Sequence, residues 1–146
     1  MLLVSAATEV TDELLEALRR MLPQLSASAG QPTGAELAEI LGSPATALLV
    51  AREEENGPIV GMLTLVVFRI PTGMRALIED VVVDEPARGR GVGEALTNAA
   101  IDLAATRGAK TLDLTSRPAR EAANRLYQRM GFEQRETNVY RYRLDE

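Results

Sequence analysis

The twenty residues from Leu77 to Leu96, LIEDVVVDEPARGRGVGEAL, constrain the fold more than any other stretch. An apolar, β-branched run leads into three glycines at alternate positions, and apolar residues then recur at helical spacing through Val92, Ala95, Leu96, Ala99, Ala100 and Leu103. A chain that passes from strand to helix through such a loop is an α/β chain. The turn gathers several unpaired backbone N–H groups at the positive end of a helix dipole. Gly89, Gly91 and Gly93 keep side chains away, so the backbone can approach an oxyanion, while Arg88 and Arg90 supply mobile positive charge. A surface turn with solvated arginines is the competing role of a lone glycine triplet; the strand before it and the helix after it favour the anion.

The remaining elements fit around this passage. Leu2 to Ala6 predicts a short strand. Leu14, Leu15, Leu18 and Leu22 predict a helix, with Asp12 and Glu13 in its first turn, Arg19 and Arg20 in its last and Pro23 as its stop. Thr33 and Glu36 have capping-box spacing for a short helix that ends near Gly42. Runs beginning at Thr46, Ile59 and Met74, separated by EENGP and by Pro71 to Gly73, predict a three-stranded antiparallel meander. After the long helix, KTLDLTS predicts a strand and SRPAREAANRLYQRMGF an amphipathic helix closed by Gly131. Tyr140, Tyr142 and Leu144 alternate with Arg141 and Arg143 as in a terminal strand.

Composition narrows the chemistry. The 146 residues, 46% of them hydrophobic, suit one domain spanning 1–146. No apolar run is long enough for a membrane span and the N-terminus does not read as a signal peptide, so the expected compartment is cytoplasmic. The chain has no Cys and no His, which removes Cys nucleophiles, Ser-His-Asp triads, disulfides and the usual zinc sites. No metal is expected. A net charge of −5 argues against a nucleic-acid partner and suits a cationic one.

The loop is not a dinucleotide fingerprint, because Glu94 and Leu96 stand where a third glycine would fall, and no Gly-Lys-Ser or Gly-Lys-Thr makes it a Walker A loop. What fits is R-x-x-G-x-G, at Arg88, Gly91 and Gly93. With this motif the chain resembles the GNAT superfamily of acyl-CoA-dependent N-acyltransferases. ANRLYQRMGF, from Ala123 to Phe132, is similar to the family's second cofactor segment.

The resemblance implies a mixed, mostly antiparallel sheet with splayed central strands and helices packed on it. It implies acetyl-CoA as co-substrate, its pyrophosphate on the amides from Arg88 through Val92 to Gly93 and its pantetheine arm along the backbone of Val81 and Val83. It implies Tyr127 as general acid and Asn124 as a cofactor contact, although Arg120 replaces the asparagine that relatives often carry seven residues before the tyrosine. A core tyrosine is the competing role for Tyr127. For the base, Glu79 is chosen over Asp80 because simple alternation gives it the face parity of Val81 and Val83; a structural ion pair is its competing role. The expected reaction is direct acetyl transfer to an amine in a ternary complex, and the alternative is a non-catalytic acyl-CoA-binding module. Homodimers are frequent in the family, and the apolar terminal strand offers a surface for one.

Overall fold

The structure, a computed structural model, describes residues 1–145. They fall into two compact units, Met1–Leu114 and a second that begins at Thr115.

The first unit is a five-stranded sheet in the order β1-β2-β3-β4-β5, with β1 Leu3–Ala6, β2 Thr46–Arg52, β3 Ile59–Ile70, β4 Gly73–Val83 and β5 Thr111–Asp113. Neighbours from β1 to β4 are antiparallel. β5 is parallel to β4, and helix α3, Val92–Thr106, makes the crossover between them. The meander and the crossover both follow the pattern of the sequence.

Helix α1, Asp12–Leu25, starts at Thr11, whose hydroxyl accepts from the Leu14 amide at 3.1 Å. It does not stop at Pro23. A proline in the last turn costs only one intrahelical bond, and the helix runs on until the Ser26 amide donates to the Leu22 carbonyl at 3.2 Å. Arg19 and Arg20 therefore lie in mid-helix. Helix α2, Gly34–Gly42, carries the full capping box, with Thr33 and Glu36 exchanging bonds of 2.9 and 3.1 Å.

Alternation along β3 sorts the core into two layers. Met62 lies in one cluster with Leu18, Met21 and Leu22 of α1, Leu37 of α2, and Leu48 and Val82 of the sheet. Met21 and Leu37 are fully buried, each contributing about 1.5–3 kcal/mol. Gly61 faces the other way, toward α3. A Cβ there would lie 2.7 Å from Val92 Cγ1 and 3.1 Å from Leu96 Cδ1, so the first turn of α3 rests directly on the backbone of β3. The sequence reading passed over Gly61, though a lone glycine inside a strand signals such a close approach.

In the second unit, helix α4 spans Glu121–Arg129. The terminal strand expected from Tyr140, Tyr142 and Leu144 does not form. Residues 133–145 have neither helix nor strand, and these three side chains are exposed. Alternation gives a segment an apolar face, but a strand also needs a backbone partner, and the described residues supply none. Among the described residues no helix is long and apolar enough to cross a membrane.

Gly61→Ala should lower stability by about 1–3 kcal/mol, because the added methyl has to displace Val92 or Leu96. Urea unfolding followed by circular dichroism tests this; an unchanged midpoint would mean that α3 is not seated on β3.

Candidate active site

Two features of β4 build the site. The first is a bulge. Glu79 pairs with Thr64, but Val82 pairs with Met62, so Asp80 and Val81 together stand opposite Leu63. Asp80 takes the left-handed backbone conformation, with φ of +50°. That conformation is costly for most residues, and Asp is among the few side chains that tolerate it. The extra residue overturns the parity expected from simple alternation: the face of Glu79 is continued by Val82, not by Val81 and Val83. Both carboxylates are exposed, and no ion pair or hydrogen bond within the described residues engages either side chain. Asp80 lines a cleft between the sheet and helices α1 and α2.

The second feature is an open edge. β4 pairs with β5 only over Arg75, Ala76 and Leu77. Beyond Leu77 the strand has lost its parallel neighbour. Because the Asp84 amide donates to the Val60 carbonyl at 2.8 Å, alternation turns the backbone groups of Val81 and Val83 to that unpaired side. The Val83 carbonyl is already engaged there, accepting from Arg88 Nε at 3.1 Å. The Val81 amide and carbonyl and the Val83 amide remain for an added, strand-like partner.

Past Val83 the chain makes a single 3-10 turn, Glu85–Ala87, and enters α3 through Gly89 and Gly91, with φ of +80° and +81°. The first amide to close a bond within α3 is that of Ala95, on the Gly91 carbonyl at 3.0 Å. The amides of Gly89, Arg90, Gly91, Val92 and Gly93 donate to no acceptor in the described residues. A Cβ at Gly89 would meet nothing within 4 Å, and at Gly91 only Leu2 Cδ1 at 3.9 Å. Backbone conformation, not crowding, is what requires glycine here.

The two arginines are not mobile charges. Arg90 Nη1 donates to both oxygens of the Glu53 carboxylate, at 2.9 and 3.0 Å, with the guanidinium exposed and the carboxylate half-buried. Arg88 ties back to Val83 and to Gln24 Oε1 at 3.3 Å. Gln24 belongs to a brace that sequence reading missed. Its Nε2 donates to Asp84 Oδ1 at 2.9 Å, its Oε1 accepts from the Glu85 amide at 2.9 Å, and Arg20 Nε donates to Asp84 Oδ2 at 3.0 Å. Arg20 also donates through Nη2 to the Ile59 carbonyl at 2.8 Å. One turn of α1 thus fixes the exit from β4. Burial pushes the Asp84 carboxyl up, but the Gln24 amide and Arg20 guanidinium outweigh burial, and its pKa lies below the ordinary value of 3.8. No local pattern foretells this brace, because sixty or more positions separate its halves.

In the second unit, the segment Tyr127 to Phe132 is a Schellman cap. The Phe132 amide donates to the Tyr127 carbonyl at 2.9 Å, the Gly131 amide donates to the Gln128 carbonyl at 3.1 Å, and Gly131 has φ of +103°. The apolar contact that accompanies such a cap is made by the two rings, edge to face with centroids 5.6 Å apart. The spacing Tyr-x-x-x-Gly-Phe is therefore the spacing of a helix stop that holds the tyrosine ring. Burial raises the Tyr127 pKa against the opposing effect of Arg120, so the phenol keeps its proton at neutral pH. Asn124 Nδ2 donates to the Arg117 carbonyl at 3.0 Å, which commits that side chain to closing the turn before α4.

A strand whose edge is unpaired beyond Leu77 thus runs into a row of amides at a helix start that no acceptor in the described residues engages. Residues 11–132 match the model of the Acetyltransferase (GNAT) family, and the chain belongs to that family. A 61-residue stretch is 41% identical to an uncharacterised N-acetyltransferase of Methanocaldococcus jannaschii, covering 42% of this chain and 27% of that protein. Another, of 74 residues, is 35% identical to N-alpha-acetyltransferase 30 of Schizosaccharomyces pombe, covering 51% of this chain and 49% of that one. These matches thus span about a quarter and about half of the two curated relatives. Among solved structures, an aminoglycoside acetyltransferase from an uncultured soil metagenomic sample superposes with a TM-score of 0.84 at 25% identity, with 99% of each chain covered.

Asp84→Asn should cost about 1–3 kcal/mol at pH 7 by removing the charged, half-buried partner of Arg20 Nε. The folded pKa of Asp84 is depressed, so its contribution is present above about 3.8 and fades as the pH falls through the lower folded value. Unfolding curves of wild type and variant should therefore converge in acid. A gap that persisted unchanged at pH 2 would remove ionisation as the cause.

Proposed function

We propose that residues 1–146 act as one N-acetyltransferase domain that moves an acetyl group from acetyl-CoA directly to an amine in a ternary complex. The observation that carries this reading is the adjacency of the open β4 edge and the unengaged amides from Gly89 to Gly93. The first suits an amide-bearing pantetheine arm and the second a pyrophosphate, so the residues present fit the co-substrate. Bound acetyl-CoA would supply an activated acetyl thioester. The family match supports the reading, since it covers both the glycine loop and the Tyr127 segment.

Val81 and Val83 offer backbone pairing groups on the open edge, and the loop amides neutralise phosphate charge with little help from Arg90, whose charge is spent on Glu53. Glu79, exposed and unpaired on β4, takes the first proton from the acceptor ammonium through water. The new carbon–nitrogen bond forms and the carbon–sulfur bond breaks; the Tyr127 hydroxyl gives its proton to the departing sulfur. As the amide forms, nitrogen loses a second proton, which resets Tyr127, and the net release is one proton. A tyrosine that stays protonated at neutral pH suits this donor role.

Tyr127→Phe should lower turnover about 10²-fold or more while leaving acetyl-CoA affinity unchanged, measured as thiol release and as calorimetric binding. Equal rates of thiol release for wild type and variant with every acceptor would falsify the catalytic role. For the loop, acetyl-CoA should raise the melting temperature of wild type. Gly91→Val should abolish that shift, because φ of +81° is closed to a β-branched residue, whereas Arg90→Ala should reduce it only slightly. The reverse ranking would show that side-chain charge, not backbone, holds the phosphates.

A further inference from the structure

The acceptor side of the reaction has its own physical signature. Between α1, the connection 26–33, α2 and the sheet face that carries Met62 and Thr64 lies an open cleft of about 670 Å³. That volume suits a small organic ligand. Leu18, Leu22, Leu37, Ile40, Leu48 and Met62 are among the residues that line it. Three carboxylates, Glu36, Glu39 and Asp80, also line it, and no Lys or Arg does. Glu36 spends one oxygen on the Thr33 amide, but nothing within the described residues engages the Asp80 carboxylate.

We propose that this cleft takes a small primary amine whose ammonium is carried on an apolar aliphatic or aromatic body, with the ammonium against Asp80. Apolar walls reward an apolar body. An unpaired carboxylate beside such walls, with two more nearby and no cation among the lining residues, favours a cationic head and repels an acceptor bearing phosphate or carboxylate. The β4 bulge is what makes this pairing available. It gives Asp80 a backbone conformation with φ of +50°, and Asp80 lines the cleft together with Thr64 and Met62. The assignment deepens the transferase reading and, as a route to product, rests on it: the ammonium held by Asp80 is the one that Glu79 deprotonates.

Calorimetry without acetyl-CoA tests the cleft by itself. 2-Phenylethylamine should bind at least tenfold more tightly than 2-phenylethanol, which lacks the charge, and more tightly than glucosamine 6-phosphate, which replaces the apolar body with a sugar and adds an anion. Asp80→Asn should remove the preference for the amine, since Asn tolerates the left-handed conformation and keeps the bulge; the melting temperature of the free variant checks that it folds. Thr64→Lys, which brings a cation into the cleft and leaves Asp80 in place, should abolish amine binding as well. Equal affinity for the amine and the alcohol, or a preference for the sugar phosphate, would overturn the assignment even if other amines drive thiol release. If 2-phenylethylamine binds through Asp80 and no amine releases thiol, the transferase reading falls and the cleft assignment stands.

Discussion

One extra residue in β4 sets the geometry on which everything near the site depends. With Asp80 and Val81 both opposite Leu63, the strand changes the parity of its side chains halfway along. Over Arg75 to Leu77 β4 is paired on both edges; from Ile78 on, through the bulge and beyond it, only the β3 edge remains paired. The same residue brings a carboxylate to the cleft beside α1 and α2. The cost of a left-handed Asp, about 1–2 kcal/mol, is offset by the ladder that holds both ends of the bulge in register.

Precision at the loop comes from a different interaction. The direction in which the chain leaves β4 toward the unengaged amides from Gly89 to Gly93 is fixed by the brace of Arg20, Gln24 and Asp84. Arg88 joins that brace, and Arg90 is held by Glu53. The arginines of the loop thus bond to the protein itself, and the loop amides from Gly89 to Gly93 are left without an acceptor in the described residues. A comparable economy holds in the C-terminal unit, where one helix stop both ends α4 and orients Tyr127 against Phe132.

Much of this was legible in the residues, and the misses share a cause. Apolar runs bounded by turn signals, helical spacing and a capping box marked the five strands and four α-helices of the described residues, and the Thr33–Glu36 capping box formed as its spacing requires. Pro23 was misread as a stop because its cost depends on how many turns follow it. The parity of Glu79 was misread because a bulge inserts one residue without changing local composition. The strand pattern at Tyr140 to Leu144 states which side chains share a face and cannot state whether a ladder partner exists. Nothing local marks Gln24, and Arg20 reads from the sequence only as a charge near a helix end; the importance of both, and of Gly61, lies in contacts made across the fold.

The sequence by itself determined the order of the elements through α4, the glycine stop at Gly131 and the absence of thiol and imidazole chemistry. Each follows from short-range sterics or from residue identity, which act within a few positions along the chain. Only the tertiary structure decided which edge of β4 stays open, which carboxylate lines the cleft and what the loop arginines bind. Those outcomes depend on register and on pairs of residues dozens of positions apart, and register is an energy shared among strands that no single segment holds.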